Sequence, residues 1–350
     1  MAKAKQIPGI DCDAEAADAI RRVVTVRLGK MCALRERALD WSDPEGVHDM
    51  RVASRRLRSA LRDFLPYARK RRVTKSLQEI REIADALGEV RDQDVAIIAL
   101  EKLETKAPNE VSTGIQQLAE IRRARRAEAR EELLPILDQA CRTHLQSDFL
   151  PALAAAITPP PDRKKPKQNA PSAASVTYRE VARTTILERL KELEKRSDSL
   201  YHPLKVKPLH KMRIAAKRLR YALELFEPCW GPRLAGYARK IAALQSSLGE
   251  LHDCDVWIVD FGDALSGREK HAASQSGIET TDGGAASIWL LDHFVKLRTK
   301  HLRNALARWR EWEANELSAL LLKIVQSDSA PPATTTRSAT TTSTKASGLP

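Results

Sequence analysis

An all-α fold is predicted by three features of this 350-residue chain: apolar residues recur at helical spacing along most of its length, strand-like alternation is scarce, and glycines number only 14. The expected architecture is two tandem antiparallel helical bundles related by a pseudo-twofold, because the chain reads as one helical unit written twice. The boundaries read as a first helical repeat over 12–156, a basic proline-rich linker over 157–175, a second repeat over 176–326 and a disordered tail over 327–350. A polar stretch at 266–284 reads as a loop inserted between helices.

The repeat is explicit in the residues. VHDMRVASRRLRSAL from Val47 is answered by LHKMRIAAKRLRYAL from Leu209, and IREIADALGEVRDQDV from Ile80 by IAALQSSLGELHDCDV from Ile241. Each half then offers the same order: a long amphipathic helix, a His/Arg helix, a helix ending at Leu-Gly-Glu, another beginning near Asp-x-Asp-Val, and a long closing helix.

Composition narrows the partner. A formal charge of +13 and a pI near 9.6 point to an anion such as nucleic acid, anionic lipid or polyphosphate. Aromatic residues make up only 5%, which weakens single-stranded nucleic-acid binding, since that mode stacks bases on exposed rings. Five cysteines at 12, 32, 141, 229 and 254 include no Cys-x-x-Cys pair, so neither a disulfide framework nor a zinc ribbon is indicated, and reduced thiols fit the cytosol. The N-terminus has no apolar signal region, and no apolar run approaches a membrane-spanning length.

Helical geometry places the charge. At about 100° per residue, His48, Arg51, Arg55, Arg58 and Arg62 share one stripe, while Met50, Leu57, Leu61 and Phe64 face inward. In the second half His210, Arg213, Lys217 and Arg220 repeat the stripe, and Glu224 stands where Arg62 stood. Guanidinium groups in a row on a rigid helix offer planar, permanently charged donors to successive phosphoryl oxygens. Asp43 is a candidate N-cap with Pro44 at the first helical position, and Pro208 takes that position in the second half. That puts His48 and His210 in opening turns, where backbone N–H groups favour anions. Arg56, Arg218, Arg298 and Arg303 are further candidates for the same groove.

Other signals weigh less. The pairs His48-Asp49 and His252-Asp253 invite a metal site, but they occupy non-equivalent places in the two repeats. Asp92, Asp94, Asp253 and Asp255 read as structural acids at a helix start or as tethers for nearby arginines. Arg122, Arg123, Arg125, Arg126 and Arg130 are interspersed with Glu120, Glu128, Glu131 and Glu132 and read as a mixed surface face.

Two motifs, each present twice, carry a family resemblance: H-x-x-R-V/I-x-x-R/K-R-x-R at His48–Arg58 and His210–Arg220, and L-G-x-x-R/H-D-x-D-V at Leu87–Val95 and Leu248–Val256. They resemble the CHAD (conserved histidine α-helical domain) family over about residues 12–326. The resemblance implies helical bundles around a basic surface, binding of inorganic polyphosphate, and association with polyphosphate granules in the bacterial cytoplasm. Relatives fused to a triphosphate tunnel domain carry an E-x-E-x-K strand; here ELEKR at 192–196 has the wrong spacing and lies in a helix. The expectation is therefore binding without catalysis, with no catalytic residue, metal or cofactor. The rivals are a binder of the nucleic-acid backbone and a metal-dependent phosphoanhydride hydrolase. Binding should weaken with salt, and it should strengthen as pH falls through about 6.5 if the histidines take part.

Overall fold

The computed structural model describes residues 6–43, 45–139, 145, 147–157, 176–272 and 281–327. Its helices in chain order are α1 (Ala16–Ala33), α2 (Arg35–Leu39), α3 (Gly46–Phe64), α4 (Thr74–Glu104), α5 (Asn109–Gln139), α6 (Phe149–Ile157), α7 (Tyr178–Glu194), α8 (Val206–Leu225), α9 (Glu227–Trp230), α10 (Pro232–Ala272), α11 (Thr281–Ala314) and α12 (Leu317–Gln326). Among the described residues the only β-type pairing is an isolated bridge between Glu15 and Thr177, so the fold is all-α.

The inward faces read from the sequence are the buried ones. Met50, Leu57, Leu61 and Phe64 on α3 are 0–3% exposed, as are Met212, Leu219, Leu223 and Phe226 on and just after α8. They enter an apolar cluster drawn from both halves: α1, α3 and α4 from the first, α7, α8, α10 and α12 from the second. At its centre Phe64 and Phe226, at matching positions of the two repeats, meet edge to face with ring centroids 6.3 Å apart, and Tyr178 packs against both.

A second apolar cluster joins α4 and α5 to α10 and α11 through Leu100, Ile115, Phe261, Leu290 and Phe294. At about 1.5 Å per residue, the 31 residues of α4 make a rod of about 46 Å that reaches both clusters. The described start of the chain is tied to the second half. Ala16 N–H donates to Val176 O (2.9 Å), Tyr178 N–H to Ala14 O (3.1 Å) and Arg179 N–H to Cys12 O (2.7 Å). Thr177 then caps α7 in a reciprocal capping box with Glu180.

Four sequence expectations are corrected. No helix breaks at Leu-Gly-Glu: α4 and α10 run straight through both copies of that motif. An interior glycine disfavours a helix by only about 1 kcal/mol, and Leu87, Val90, Leu248 and Leu251 bury themselves on either side of it. α3 begins at Gly46, so Asp43 does not cap it; Asp43 Oδ1 accepts from Glu45 N–H in the preceding turn, and Asp43 also pairs with Arg37. Pro44 lies outside the described residues. α8 begins at Val206, which makes Pro208 its third residue, not its first. The stretch 266–284 is not a loop throughout, since α10 reaches Ala272 and α11 starts at Thr281. Residues 158–175 of the expected linker and 328–350 of the expected tail lie outside the described residues.

Gly46 fixes how α3 enters the bundle. A Cβ built there would lie 1.9 Å from the Arg37 carbonyl oxygen, so α2 and α3 can approach this closely only over glycine. No described helix is long and apolar enough to cross a membrane.

Candidate anion-binding site

α3 and α8 pack against each other, with α4 beside the first and α10 beside the second. The basic stripes turn toward a shared space. The Lys217 ammonium feels Arg55, Arg58 and Arg62 from α3 as well as Arg213 from its own helix, and Arg213 feels both Arg51 and Arg55. Each of these side chains is partly buried.

Their pairing is uneven. Arg51 lies 3.0 Å from Asp92, and Arg58 lies 3.3 Å from Asp85. Arg55, Arg62, Arg213 and Lys217 form no ion pair with a carboxylate among the described residues. Dehydration and mutual repulsion act together on this group. Burial first, then neighbouring positive charge, lowers Lys217 from its ordinary value to about 7. Burial likewise holds Arg62 below the usual guanidinium range, with Arg218 adding to the effect, and it lowers Arg51 and Arg213 against the opposing pull of Asp92 and Asp253.

The second motif supplies the walls. Residues two apart on a helix point to nearly opposite sides, and the Asp-x-Asp pairs use both. Asp92 and Asp253 look toward the arginines of the stripes. Asp94 and Asp255 look away and fasten the closing helices, Asp94 to Arg126 (3.3 Å) and Asp255 to Arg298 (2.6 Å). Asp92 sits at the mouth of the cleft, open to solvent yet ringed by protein at longer range. Its carboxyl is held above the ordinary range because lost hydration outweighs Arg51. Guanidinium groups lie beside the glycines of the motif, at distances a Cβ would also tolerate: one at Gly88 would meet Arg51 at 3.9 Å, and one at Gly249 would meet Arg213 at 3.7 Å, both ordinary contacts. The same contact thus occurs at matching positions of the two repeats.

The histidines flank the stripes. Burial, then Arg91, keeps His48 below its ordinary pKa; burial, then Arg213, does the same for His210. His252, which stands where Arg91 stands in the first half, has its Nδ1 3.3 Å from Nδ1 of His210 and is pushed down to about 4, by burial first and Arg213 second. The contact needs one protonated and one bare nitrogen, so at least one ring of the pair is neutral. The window proposed around pH 6.5 therefore extends lower for the empty site.

Not every expected residue joins the cleft. Arg220 is 6% exposed, stacks over the Tyr221 ring and lies 3.5 Å from Glu224. Arg56 reaches Glu224 at 3.9 Å, and Arg218 is bound by Glu192. The acid replacing Arg62 in the second repeat thus draws Arg56 and Arg220 into an internal network and away from solvent. Arg298 is engaged by Asp255 and the Pro203 carbonyl (2.7 Å), so it secures α11. Arg303 is exposed on α11, with no contact to the stripes among the described residues. The mixed face on α5 is structural: Arg122 pairs with Asp260 and lies over Trp257, and Arg123 pairs with Glu101 (2.5 Å).

Sequence reasoning missed Arg91, took His252 only as half of a disfavoured metal pair, and read Asp92 and Asp253 as structural acids or tethers for arginines, a reading that the Arg51–Asp92 pair fits. Their signal was present, because the Leu-Gly-Glu motif recurs in register with the stripes, but the glycine suggested a helix break instead. Among the described residues no three His, Cys, Asp or Glu side chains are grouped closely enough to hold a metal ion.

Comparison with known proteins agrees with this architecture. The fold is similar to the crystal structure of the CHAD domain from the plant Ricinus communis, with a TM-score of 0.62 and 22% identity over 87% of this chain and 94% of that one. It is also similar to PptA from Streptomyces chartreusis, with a TM-score of 0.57 and 15% identity over 85% and 100%. In sequence it is 27% identical over 208 residues to the uncharacterized protein Rv2226 of Mycobacterium tuberculosis, and equally to MT2285 of a second strain; the match spans 59% of this chain and 38% of each relative's length. The model of the CHAD domain matches residues 22–259, a span that holds both His/Arg helices and both Leu-Gly-Glu motifs, and the chain belongs to that family.

Proposed function

We propose that this protein binds inorganic polyphosphate along the cleft between α3 and α8, has no catalytic activity of its own, and resides in the cytoplasm on polyphosphate granules. One observation carries the reading: Arg55, Arg62, Arg213 and Lys217 are partly buried, face one another, and are left without carboxylate partners among the described residues. Such a cluster is destabilised by its own repulsion until an anion enters, and a phosphate chain supplies closely spaced negative charge with acceptor oxygens on every unit. Arg51 and Arg58 line the same space and exchange their carboxylates for phosphate, while His48 and His210 contribute at the ends of the stripes.

The decisive experiment is a titration with long-chain polyphosphate on the wild type and on the double variant Arg51→Glu, Arg213→Glu. Saturable binding that the double variant loses supports the reading, and equal binding by both overturns it. Competition with duplex DNA and RNA at matched charge addresses the rival partner, since nucleic acid displacing polyphosphate would favour a sugar-phosphate ligand. Phosphate release that needs added divalent metal and disappears on Asp92→Asn or Asp253→Asn would replace the non-catalytic reading with a hydrolase.

A further inference from the structure

The two stripes differ in one informative way. At the position of Arg55 the second repeat carries Lys217, so a side chain that stays charged is replaced by an amine that can shed its proton. That amine is surrounded by guanidinium groups: Arg55, Arg58 and Arg62 on α3 and Arg213 on α8. The imidazoles of His210 on α8 and His252 on α10 also feel it. On α7, Arg189 is held by Asp63 (2.8 Å), and Glu192 by Arg218 and by Arg189 itself. Lysines elsewhere sit differently: Lys240 and Lys296 are paired to Glu311 (2.7 Å) and Asp292 (2.5 Å), while Lys205, Lys207 and Lys211 are exposed at the start of α8.

From this geometry we infer that Lys217 is a covalent modification site, acylated at Nζ by small acyl phosphates that the surrounding arginines hold by their phosphate group. This deepens the anion-site reading above and rests on it. An acyl phosphate joins a dianionic head, which Arg55, Arg62 and Arg213 can grip, to an activated carbonyl carbon one oxygen away. The Nζ lone pair attacks that carbon, a C–N bond forms, and the C–O bond to phosphorus breaks. Inorganic phosphate leaves with the bonding electrons, and the excess proton on nitrogen passes to water, so no oxidant or reductant is required. The cleft also supplies the amine in the reactive form. With its pKa near 7, Lys217 is neutral in a large fraction of molecules at neutral pH, the form that attack on a carbonyl requires. The product amide carries no charge, so acylation removes a cation from the centre of the cleft and weakens its hold on polyanions.

The test is incubation of the full chain with acetyl phosphate at pH 7.5, followed by mass-spectrometric measurement of acetylation rate at each lysine. A parallel reaction uses an uncharged acetyl ester, and a third adds excess long-chain polyphosphate. The expected result is acetylation of Lys217 about tenfold or more faster than Lys205, Lys207 and Lys211 with acetyl phosphate, a smaller preference with the ester, and protection by polyphosphate. Acetylation of Lys217 no faster than those exposed lysines overturns the inference, even if polyphosphate binds as proposed. Selective acetylation without polyphosphate protection upholds the inference and counts against polyphosphate as the occupant of this cleft.

Discussion

Arg51 Nη2 on α3 lies 3.0 Å from Asp92 Oδ1 on α4, so a carboxylate already occupies a guanidinium that a phosphate would use. The neutral amide in Asp92→Asn cannot hold Arg51 as strongly. The exchange of partners then becomes easier, and polyphosphate affinity should rise by up to about fivefold, the range of a partly exposed ion pair. A titration showing weaker binding for this variant would mean that the carboxylate assists the ligand and does not compete with it.

Arg213 and Arg218 separate binding from stability within one helix. Arg213→Gln removes a partly buried cation that forms no ion pair with a carboxylate among the described residues, so affinity should fall about tenfold while the melting temperature of the empty protein holds or rises. Arg218→Gln removes the nearer of the two arginines that hold Glu192, leaving Arg189 at 3.5 Å; it should lower stability by at most about 1 kcal/mol and leave affinity nearly unchanged. Calorimetry and thermal melts on both variants check the contrast, and a reversed pattern would place the ligand elsewhere.

Lys217 should make binding depend on pH above neutrality. Below about 7 the amine is protonated with or without ligand, so it adds no slope. Above 7 the empty protein loses that proton while a bound phosphate chain retains it. Affinity should then fall by up to tenfold per pH unit until the bound amine also titrates. Lys217→Arg should flatten the profile in this window. The histidines act on the other side: being lowered when the cleft is empty, they strengthen binding only as pH falls below 6.5.

The same amine acts with the opposite sign on the stability of the ligand-free protein. Between about 7 and its ordinary value of 10.5 the unfolded chain holds a proton on Lys217 that the folded chain has released, so this group makes folding more favourable as pH rises. Lys217→Met should therefore melt above the wild type at pH 6, and the gap should narrow toward pH 10. A gap that widens with pH would contradict the placement of Lys217 among the arginines.

Gly46→Ala should be among the most damaging small substitutions in the first half. Its Cβ would lie 1.9 Å from the Arg37 carbonyl oxygen, and a rigid backbone atom cannot yield as a side-chain tip can. A loss of about 2–4 kcal/mol in denaturant unfolding is expected. Gly29→Ala, where nothing lies within 4 Å, should be neutral or slightly stabilising.

The helical class and the inward faces of α3 and α8 were legible because 3.6-residue periodicity reports burial directly: Met50, Leu57, Met212 and Leu219 are all fully buried. The stripes were legible for the same reason, down to Arg51, Arg55, Arg213 and Lys217. Periodicity gives the side of a helix but not what stands opposite. It could not show that Glu224 would recruit Arg56 and Arg220, or that Asp255 would claim Arg298. Local propensity misread Leu-Gly-Glu as a break because a single glycine weighs less than the apolar residues around it. The Pro208 assignment missed by two residues, since α8 starts at Val206, and the Asp43 cap failed because α3 starts at Gly46 against the Arg37 carbonyl, a tertiary contact that no local pattern displays.

Residues 12–16 are held by residues 176–179, and Ser327, just past α12, accepts from the Trp230 indole (3.2 Å). Both extremities of the folded body are thus anchored to its latter portion, and the aromatic rings of Phe64, Tyr178 and Phe226 knit the portions together. A molecule hydrolysed between 158 and 175 accordingly remains one particle, its two polypeptides clasped without a covalent joint and both cationic rows still opposed.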